Sequence, residues 1–333
     1  MTDLLPRLQR LAEASLPLWD VPKEAQVRLI NVSENVTYAV EAPAFKSVLR
    51  IHRDGYHTRQ AIESELDWLT ALGRDTAVTT PRIILGKNGA RIQHGTPPGL
   101  PTPRHMVMFH FIDGPAPDET GDLAPGFEEL GQIAAQCHDH VLSWQKPDGF
   151  TRMTWDTRTV FGPNATWGNW REAPGVTDDI RALLTRLETT LTARLADFGK
   201  SPDRFNLIHA DMRLANLIVS PGVDAGSSGT RLIDFDDCGW GWFLYDFAAA
   251  ISFIEDDPRV PALKAAWLRG YRSVRALSAT EEAEIDTFVL LRRMALLAWI
   301  GSHIEAPEPQ ALAADFATGT AKLARAYLKR LEH

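Results

Sequence analysis

The stretch from Phe205 to Asp246, FNLIHADMRLANLIVSPGVDAGSSGTRLIDFDDCGWGWFLYD, most limits what this chain can fold into. It reads as an apolar run, a polar loop, a strand at Leu217 to Val219, a Gly- and Ser-rich turn, and a second strand at Arg231 to Ile233 that ends in acid. Apolar runs flanking such a turn predict a hairpin. A hairpin returns its outer ends to one side, so Asp211 and Asn216 at one end would share a cleft mouth with Asp234 at the other. Two carboxylates and an amide oxygen form a hard-oxygen set suited to Mg²⁺, with one acid left over to act as a base.

Length and composition narrow the setting. A chain of 333 residues is long enough for two lobes, and its 44% hydrophobic content supplies a substantial core. A net charge of -8 argues against a nucleic-acid partner, whose footprint would be a basic stripe, and is compatible with a cationic small substrate. The two cysteines, Cys137 and Cys238, lie far apart and form no metal or redox motif, which fits a reduced, cytoplasmic chain. No apolar run approaches the roughly 18 residues of a membrane span, and no signal-peptide pattern opens the chain.

Leucines at 4, 5, 8, 11 and 16 predict an N-terminal packing helix. Val27–Ile30, Thr37–Val40 and Ser47–Ile51 then read as an antiparallel meander. The turn between the first two, VSEN with Ser33, would lie over a phosphate through backbone N–H groups, although it has no glycine. Residues 58–72 place Ile62, Leu66, Leu69 and Leu72 on one helical face, with Glu63 and Glu65 on the same helix. Arg50 on the third strand and a Glu of that helix can pair beneath a nucleotide. Short strands follow at 81–85 and 90–93, then a buried strand at 105–111. The chain continues into IDGPAPDETGDLAPG, a linker against which a nucleotide base would sit, near Phe109. This divides the chain into a strand-rich N-terminal lobe, 1–110, and a mainly helical C-terminal lobe, 111–333. Within the latter, 127–142, 179–198, 244–254, 261–276, 280–302 and 309–331 read as helices, and His138 as a core histidine on an apolar face.

The spacing His209-x-Asp211-x-x-x-x-Asn216, with Asp234 at a strand end, points to phosphoryl transfer. Asp211 would accept the proton of an attacking hydroxyl, and Asn216 and Asp234 would hold Mg²⁺ on nucleotide phosphates. His209 is expected to brace the loop, with Asp246 as its partner. Trp240, Trp242 and Tyr245, with Glu255 to Asp257, suggest an aromatic cage for an ammonium group, beside the alternative of simple packing. Asp236 and Asp237 either face metal or substrate or form a solvated acidic turn. Arg213 would meet a substrate carboxylate or the transferred phosphate.

HADMRLAN followed by LIDFDD resembles the catalytic and metal loops of the aminoglycoside phosphotransferase family, which includes choline kinases, ethanolamine kinases and type II homoserine kinases. The resemblance extends over VSENVTYAV, VLRIHR, SELDWL, VMFHFIDG, LGQIAAQCH and YDFA. It implies an α+β, two-lobed, protein-kinase-like fold and use of ATP with Mg²⁺. It also implies Asp211 as catalytic base, Asn216 and Asp234 as metal ligands, and Glu65 rather than Glu63 as the helix acid. Arg50 stands where most members have a nucleotide-binding lysine. Ala210 stands where Gly is frequent, a departure expected to matter little. The expected activity is transfer of the ATP γ-phosphate to a hydroxyl of a small molecule, an amino alcohol or hydroxy amino acid. The alternatives are a protein Ser/Thr kinase of the bacterial stress-response type, a nucleotide-binding pseudokinase, and a metal-dependent phosphatase.

Overall fold

The computed structural model describes residues 4–115, 117, 121–219 and 230–332. The chain divides into two compact units, and neither is continuous in sequence: residues 1–115, 145–152 and 218–236 form the first, and 116–144, 153–217 and 237–333 the second. A single cut near residue 110 therefore gives way to two later returns to the first unit, each with a local cause. Thr151 N–H donates to Ser64 Oγ at 2.9 Å and Arg152 Nη1 to Ala61 O at 2.8 Å, which ties 145–152 to the Glu65 helix. Thr79 pairs with Arg231 in a parallel bridge, and Leu232 N–H donates to Thr79 O at 3.0 Å, so the acid-tipped strand belongs to the strand-rich unit.

The first unit opens with α1 (Leu4–Ser15), followed by β1 (Gln26–Val32), β2 (Val36–Ala42), β3 (Phe45–Ile51), α2 (Arg59–Asp75), β4 (Ile83–Ile84), β5 (Ile92–Gly95) and β6 (Arg104–His110). The strands make one sheet in the order β1-β2-β3-β6-β4, with β5 also on β6, and every pair is antiparallel. The sequence-based meander is thus present, extended by three strands. Leu8, Leu11 and Ala12 of α1, with Trp19, cover Tyr38, Leu49, Met106 and Met108 of the sheet. Each such apolar side chain contributes about 1.5–3 kcal/mol of burial, as an upper bound. Helix α2 begins where Thr58 Oγ1 accepts from Ala61 N–H at 3.2 Å, and it buries Ile62, Leu66 and Leu69 together with Glu65.

In the second unit, α3 (Ala124–Ser143) leads to β7 (Met153–Trp155), α4 (Thr157–Phe161), α5 (Asp178–Phe198) and β8 (Phe205–Ile208). The chain next runs through β9 (Leu217–Val219) and β10 (Thr230–Leu232), which pair with each other. The Gly/Ser-rich turn expected between them, and part of the 112–126 linker, lie outside the described residues. Then come β11 (Gly239–Trp242), α6 (Tyr245–Ala250), α7 (Val260–Val274), α8 (Ala279–Ala283), α9 (Ile285–Ser302), α10 (Pro307–Leu312) and α11 (Phe316–Leu331). The helix expected over 280–302 is two helices: a capping box of Ser278 and Glu281 starts α8, which ends at Ala283, and α9 begins after Glu284. The helix expected over 309–331 is likewise divided, into α10 and α11. Strand β11 pairs parallel with β7 and antiparallel with β8. Its glycines are needed there, since a Cβ on Gly239 would collide with Met153 O and one on Gly241 with the Ile208 side chain. Helix α9 is buried on nearly every face. Among the described residues no helix is long and apolar enough to cross a membrane.

Candidate active site

In the strand-rich unit the charged residues of the sequence reading gather around Arg50. Its Nη2 donates to Glu65 Oε1 at 2.5 Å, with side-chain exposures of 7% and 0%. Glu65, not Glu63, is the acid on this arginine, while Glu63 pairs with Arg91 on the outer side of α2 at 2.5 Å. The other end of the guanidinium, Nη1, lies 3.9 Å from carboxylate oxygens of both Asp234 and Asp236, beyond hydrogen-bonding reach. Burial by itself would lower the Arg50 pKa; the charges of Glu65, Asp236 and Asp234 outweigh it and keep the guanidinium firmly protonated. Asp234 follows β10 with a half-exposed carboxylate and a left-handed backbone, φ 62°, a conformation that Asp tolerates better than most residues.

Asp236 is neither a solvated acid nor a group open to a substrate ammonium. Its side chain is 8% exposed and sits among Arg50, His52 and His57, with His57 Nε2 3.5 Å from the carboxylate and 2.9 Å from the main-chain oxygen. Arg152 Nη2 also donates to that main-chain oxygen. Burial alone would raise the Asp236 carboxyl; the hydrogen bond to His57 and then the charge of Arg50 hold it far below the usual range. His52 is pushed well below its ordinary value by burial and then by Arg50, so it stands there uncharged. Ser33 is exposed in the β1–β2 turn, where its N–H donates to Asn35 O at 2.9 Å. Phe109 is inside β6, within the buried strand expected over 105–111; its ring lies 5.3 Å from the Arg50 guanidinium, so it packs under the cluster.

The helical unit holds Asp211. After β8 the chain turns at Ala210, whose φ is 66°. The N–H groups of His209 and Ala210 donate to the two carboxylate oxygens of Asp246, at 3.2 and 2.7 Å. His138 Nε2 is 3.0 Å from the same carboxylate, its Nδ1 is 3.0 Å from the Tyr271 hydroxyl, and its ring stacks on Phe243 with centroids 4.3 Å apart. The core histidine is therefore part of the loop's support. His209 in turn accepts the Asp211 N–H on Nδ1 at 3.3 Å.

Both oxygens of Asp211 are engaged. Asn216 Nδ2 donates to Oδ2 at 2.9 Å and to the Asp211 main-chain oxygen at 2.8 Å, while Arg292 Nη2 donates to Oδ1 at 2.9 Å. Arg213 Nε is 3.3 Å from Oδ1, and its guanidinium lies 5.6 Å from the Phe253 ring. Burial would raise the Asp211 carboxyl, but Arg213 and Arg292, then His209 and Asn216, hold it below the usual carboxylate range. Because both amide hydrogens of Asn216 turn toward Asp211, its Oδ1 is the end left to act as a hard-oxygen donor. An amide oxygen of this kind is a donor type that Mg²⁺ takes. Among the described residues no group of three or more His, Cys, Asp or Glu could hold a metal ion.

The ammonium cage does not hold. Of the rings that were to form it, Tyr245 is buried with the Arg292 guanidinium 5.7 Å from its centre, and the same guanidinium lies 4.9 Å from the ring of Trp167. Trp242 is 1% exposed, donates to Gly199 O at 2.7 Å and has Lys200 Nζ 5.4 Å from its ring. Trp240 is half-buried in β11 opposite Leu207 and Thr154. Glu255 is buried against Arg293. Arg292 is the functional candidate the sequence reading passed over. Two adjacent arginines in an otherwise apolar helix were the available signal, since buried charge requires a partner.

Residues 26–277 match the family model described as "Phosphotransferase enzyme family". The chain belongs to that family. The structure of a microcompartment-associated aminopropanol kinase is similar to it over 96% of this chain and 97% of that one, with 44% identity and a TM-score of 0.88. Amicoumacin kinase of Bacillus subtilis (strain 168) is 23% identical over 268 residues, 78% of this chain and 73% of that protein. An amicoumacin kinase solved with AMP-PNP and Ca²⁺ shares the fold at 20% identity and a TM-score of 0.74, over 96% of this chain and 93% of that one. The two-lobed α+β kinase-like class expected from the sequence is thus the class observed.

Proposed function

We propose that this phosphotransferase moves the γ-phosphate of ATP, with Mg²⁺, onto the hydroxyl of a small amino alcohol. The observation that carries the chemistry is Asp211, an ionised carboxylate fixed by Asn216 and Arg292 on a loop clamped to Asp246. The acceptor class is supported by the likeness to the aminopropanol kinase over nearly the whole of both chains.

Each Asp211 oxygen keeps a second lone pair beside the bond it already accepts, so the carboxylate can still take a hydroxyl hydrogen bond. As the acceptor oxygen bonds to phosphorus and the phosphorus–oxygen bond to ADP breaks, the hydroxyl proton passes to Asp211. The carboxyl's depressed pKa makes it a weak base, which suits a loose transition state in which the proton leaves late. Arg50 Nη1, not bonded to either nearby aspartate, is the end of the guanidinium that grips phosphate oxygens, with Glu65 fixing the other end. The Ser33 turn would lie over the phosphates, and Asn216 Oδ1 and the Asp234 carboxylate are the groups that would hold Mg²⁺, which when bound would supply neutralisation of the charge on the transferring group. Arg213 faces the transferred phosphate.

ADP release measured over 1-amino-2-propanol, ethanolamine, choline, homoserine and aminoglycosides tests the assignment. The highest kcat/KM is expected for 1-amino-2-propanol or ethanolamine. Turnover of homoserine or an aminoglycoside with none of the amino alcohols would overturn the acceptor class.

A further inference from the structure

The strand-rich unit contains a cavity of about 460 Å³ that the chemistry above does not use. Thr79, Thr80, Arg82, His110 and Arg231 line it. Phe111, Ile112 and Asp113 also line it. Side chains alternate along a strand, so His110 projects from the face of β6 opposite Phe109, whose ring lies by Arg50. The cavity is therefore separate from the Arg50–Glu65 pair.

Its chemistry contrasts with the chain's net charge of -8. Two guanidinium groups and an imidazole line it with the Thr79 hydroxyl, while the Thr80 hydroxyl donates to Leu69 O at 2.9 Å; the single carboxylate among the lining residues, Asp113, is exposed and lies 3.3 Å from Lys46 Nζ. Burial, and then the charge of Arg82, depress the His110 pKa. A concave site with two permanent cations suits a dianion better than a monocarboxylate, and the guanidinium fork fits phosphate oxygens in pairs. Phe111 and Ile112 add an apolar wall, which a bare inorganic ion would not use. A volume of this size accommodates a small metabolite. From this combination of two guanidinium groups, a hydroxyl and an apolar wall, we propose that the cavity binds a small phosphomonoester. The site adjoins the strand that leads to Asp234, since Arg231 lies in β10 and pairs with Thr79 of the lining.

Calorimetric titration of the intact protein, saturated with AMP-PNP and Mg²⁺, with phenyl phosphate and separately with inorganic phosphate tests this. Phenyl phosphate is expected to bind at one site, more tightly than inorganic phosphate. Arg82→Gln and Arg231→Gln should each weaken it about tenfold or more, the effect of losing a charge-assisted hydrogen bond. Arg82 is exposed, so its replacement leaves folding intact, and Arg231→Lys, keeping the charge, should recover part of the loss. Unchanged affinity in both glutamine variants, or displacement of the probe by AMP-PNP, would overturn the site. Equal affinity for the two probes would overturn the ester assignment in favour of free phosphate. The proposal does not rest on the kinase reading: failure of AMP-PNP to bind would count against that reading alone, and the effects of the variants on the phosphate titration would still decide this one.

Discussion

Each unit buries an arginine against carboxylates, and the two pairings are built differently. Arg50 faces three acids: Glu65 is fully buried, Asp236 nearly so, and Asp234 half-exposed. Arg292 faces Asp211, whose side chain is 14% exposed, and spends its remaining surface on Ser252 Oγ and two aromatic rings. The first cluster is a buried network in which the arginine offsets more negative charge than it carries. The second is one pair whose carboxylate reaches the surface. Removing the arginine should therefore cost stability in the first and chemistry in the second.

The largest expected effect lies in the second pair. Asp211→Asn keeps the shape of the side chain and its contact with Arg292, but removes the proton acceptor. Turnover should fall by roughly 10²–10⁴-fold, the range of general-base contributions, with nucleotide affinity unchanged by equilibrium titration. Turnover close to that of the unaltered protein would remove Asp211 from the role of base.

Next in size is Arg50→Ala. It leaves Glu65 and Asp236 buried without their principal counter-charge, and breaking a buried pair from one side costs about 3–5 kcal/mol. Urea unfolding should register that loss. Arg292→Ala should cost clearly less, because Asp211 can reach water. Equal losses would erase the distinction between the pairs. Acid sensitivity sharpens the same point. Asp236 titrates below the ~3.9 of a free Asp, so its contribution is complete above that pH and is lost as the pH falls through the folded-state value. Arg50→Ala weakens what depresses it and should move acid unfolding to higher pH.

Arg292→Gln carries the comparison into kinetics. Without the guanidinium the Asp211 carboxyl rises toward its ordinary value, so the acidic limb of the kcat/KM profile should shift to higher pH. Arg292→Lys should restore most of the original profile. A variant with lower kcat but an unmoved limb would make Arg292 a packing residue.

The same two clusters show what a sequence can carry. Asp211, Asn216, His209 and Asp246 were legible because a short loop and the start of the next helix bring them together within one stretch, and the backbone does most of the bonding. Arg50 and Glu65 were legible because a strand and the helix after it make a local unit. Arg292 and His138 were not, because each arrives from a distant helix and no spacing encodes its partner. Of the two readings of Trp240, Trp242 and Tyr245, cage and packing, the structure gives packing for Trp242: the glycines of the Gly-Trp-Gly-Trp run let β11 lie tightly between β7 and β8, which buries it. The ownership of 218–236 was hidden as well, since it depends on Thr79, some 150 residues away along the sequence.

The smallest expected effect concerns Ala210, where the sequence suggested a harmless replacement of Gly. Its φ of 66° places an alanine in the left-handed region, at about 1–2 kcal/mol of backbone strain. The Asp246 carboxylate, taking the Ala210 N–H at 2.7 Å, holds it there. Glycine would relieve the strain but adds unfolded-state entropy worth roughly 0.5–1 kcal/mol, so Ala210→Gly should stabilise the chain by only a fraction of a kcal/mol to about 1 kcal/mol. The test is the thermal midpoint of this variant, alone and combined with Asp246→Asn. If the carboxylate is what imposes the turn, weakening it lets Ala210 relax out of the left-handed region. The gain from glycine should then be smaller in the Asp246→Asn background than in the native one. Equal gains would mean that the turn is set by β8 and the Asp211 loop themselves, and that Asp246 merely satisfies N–H groups already in place.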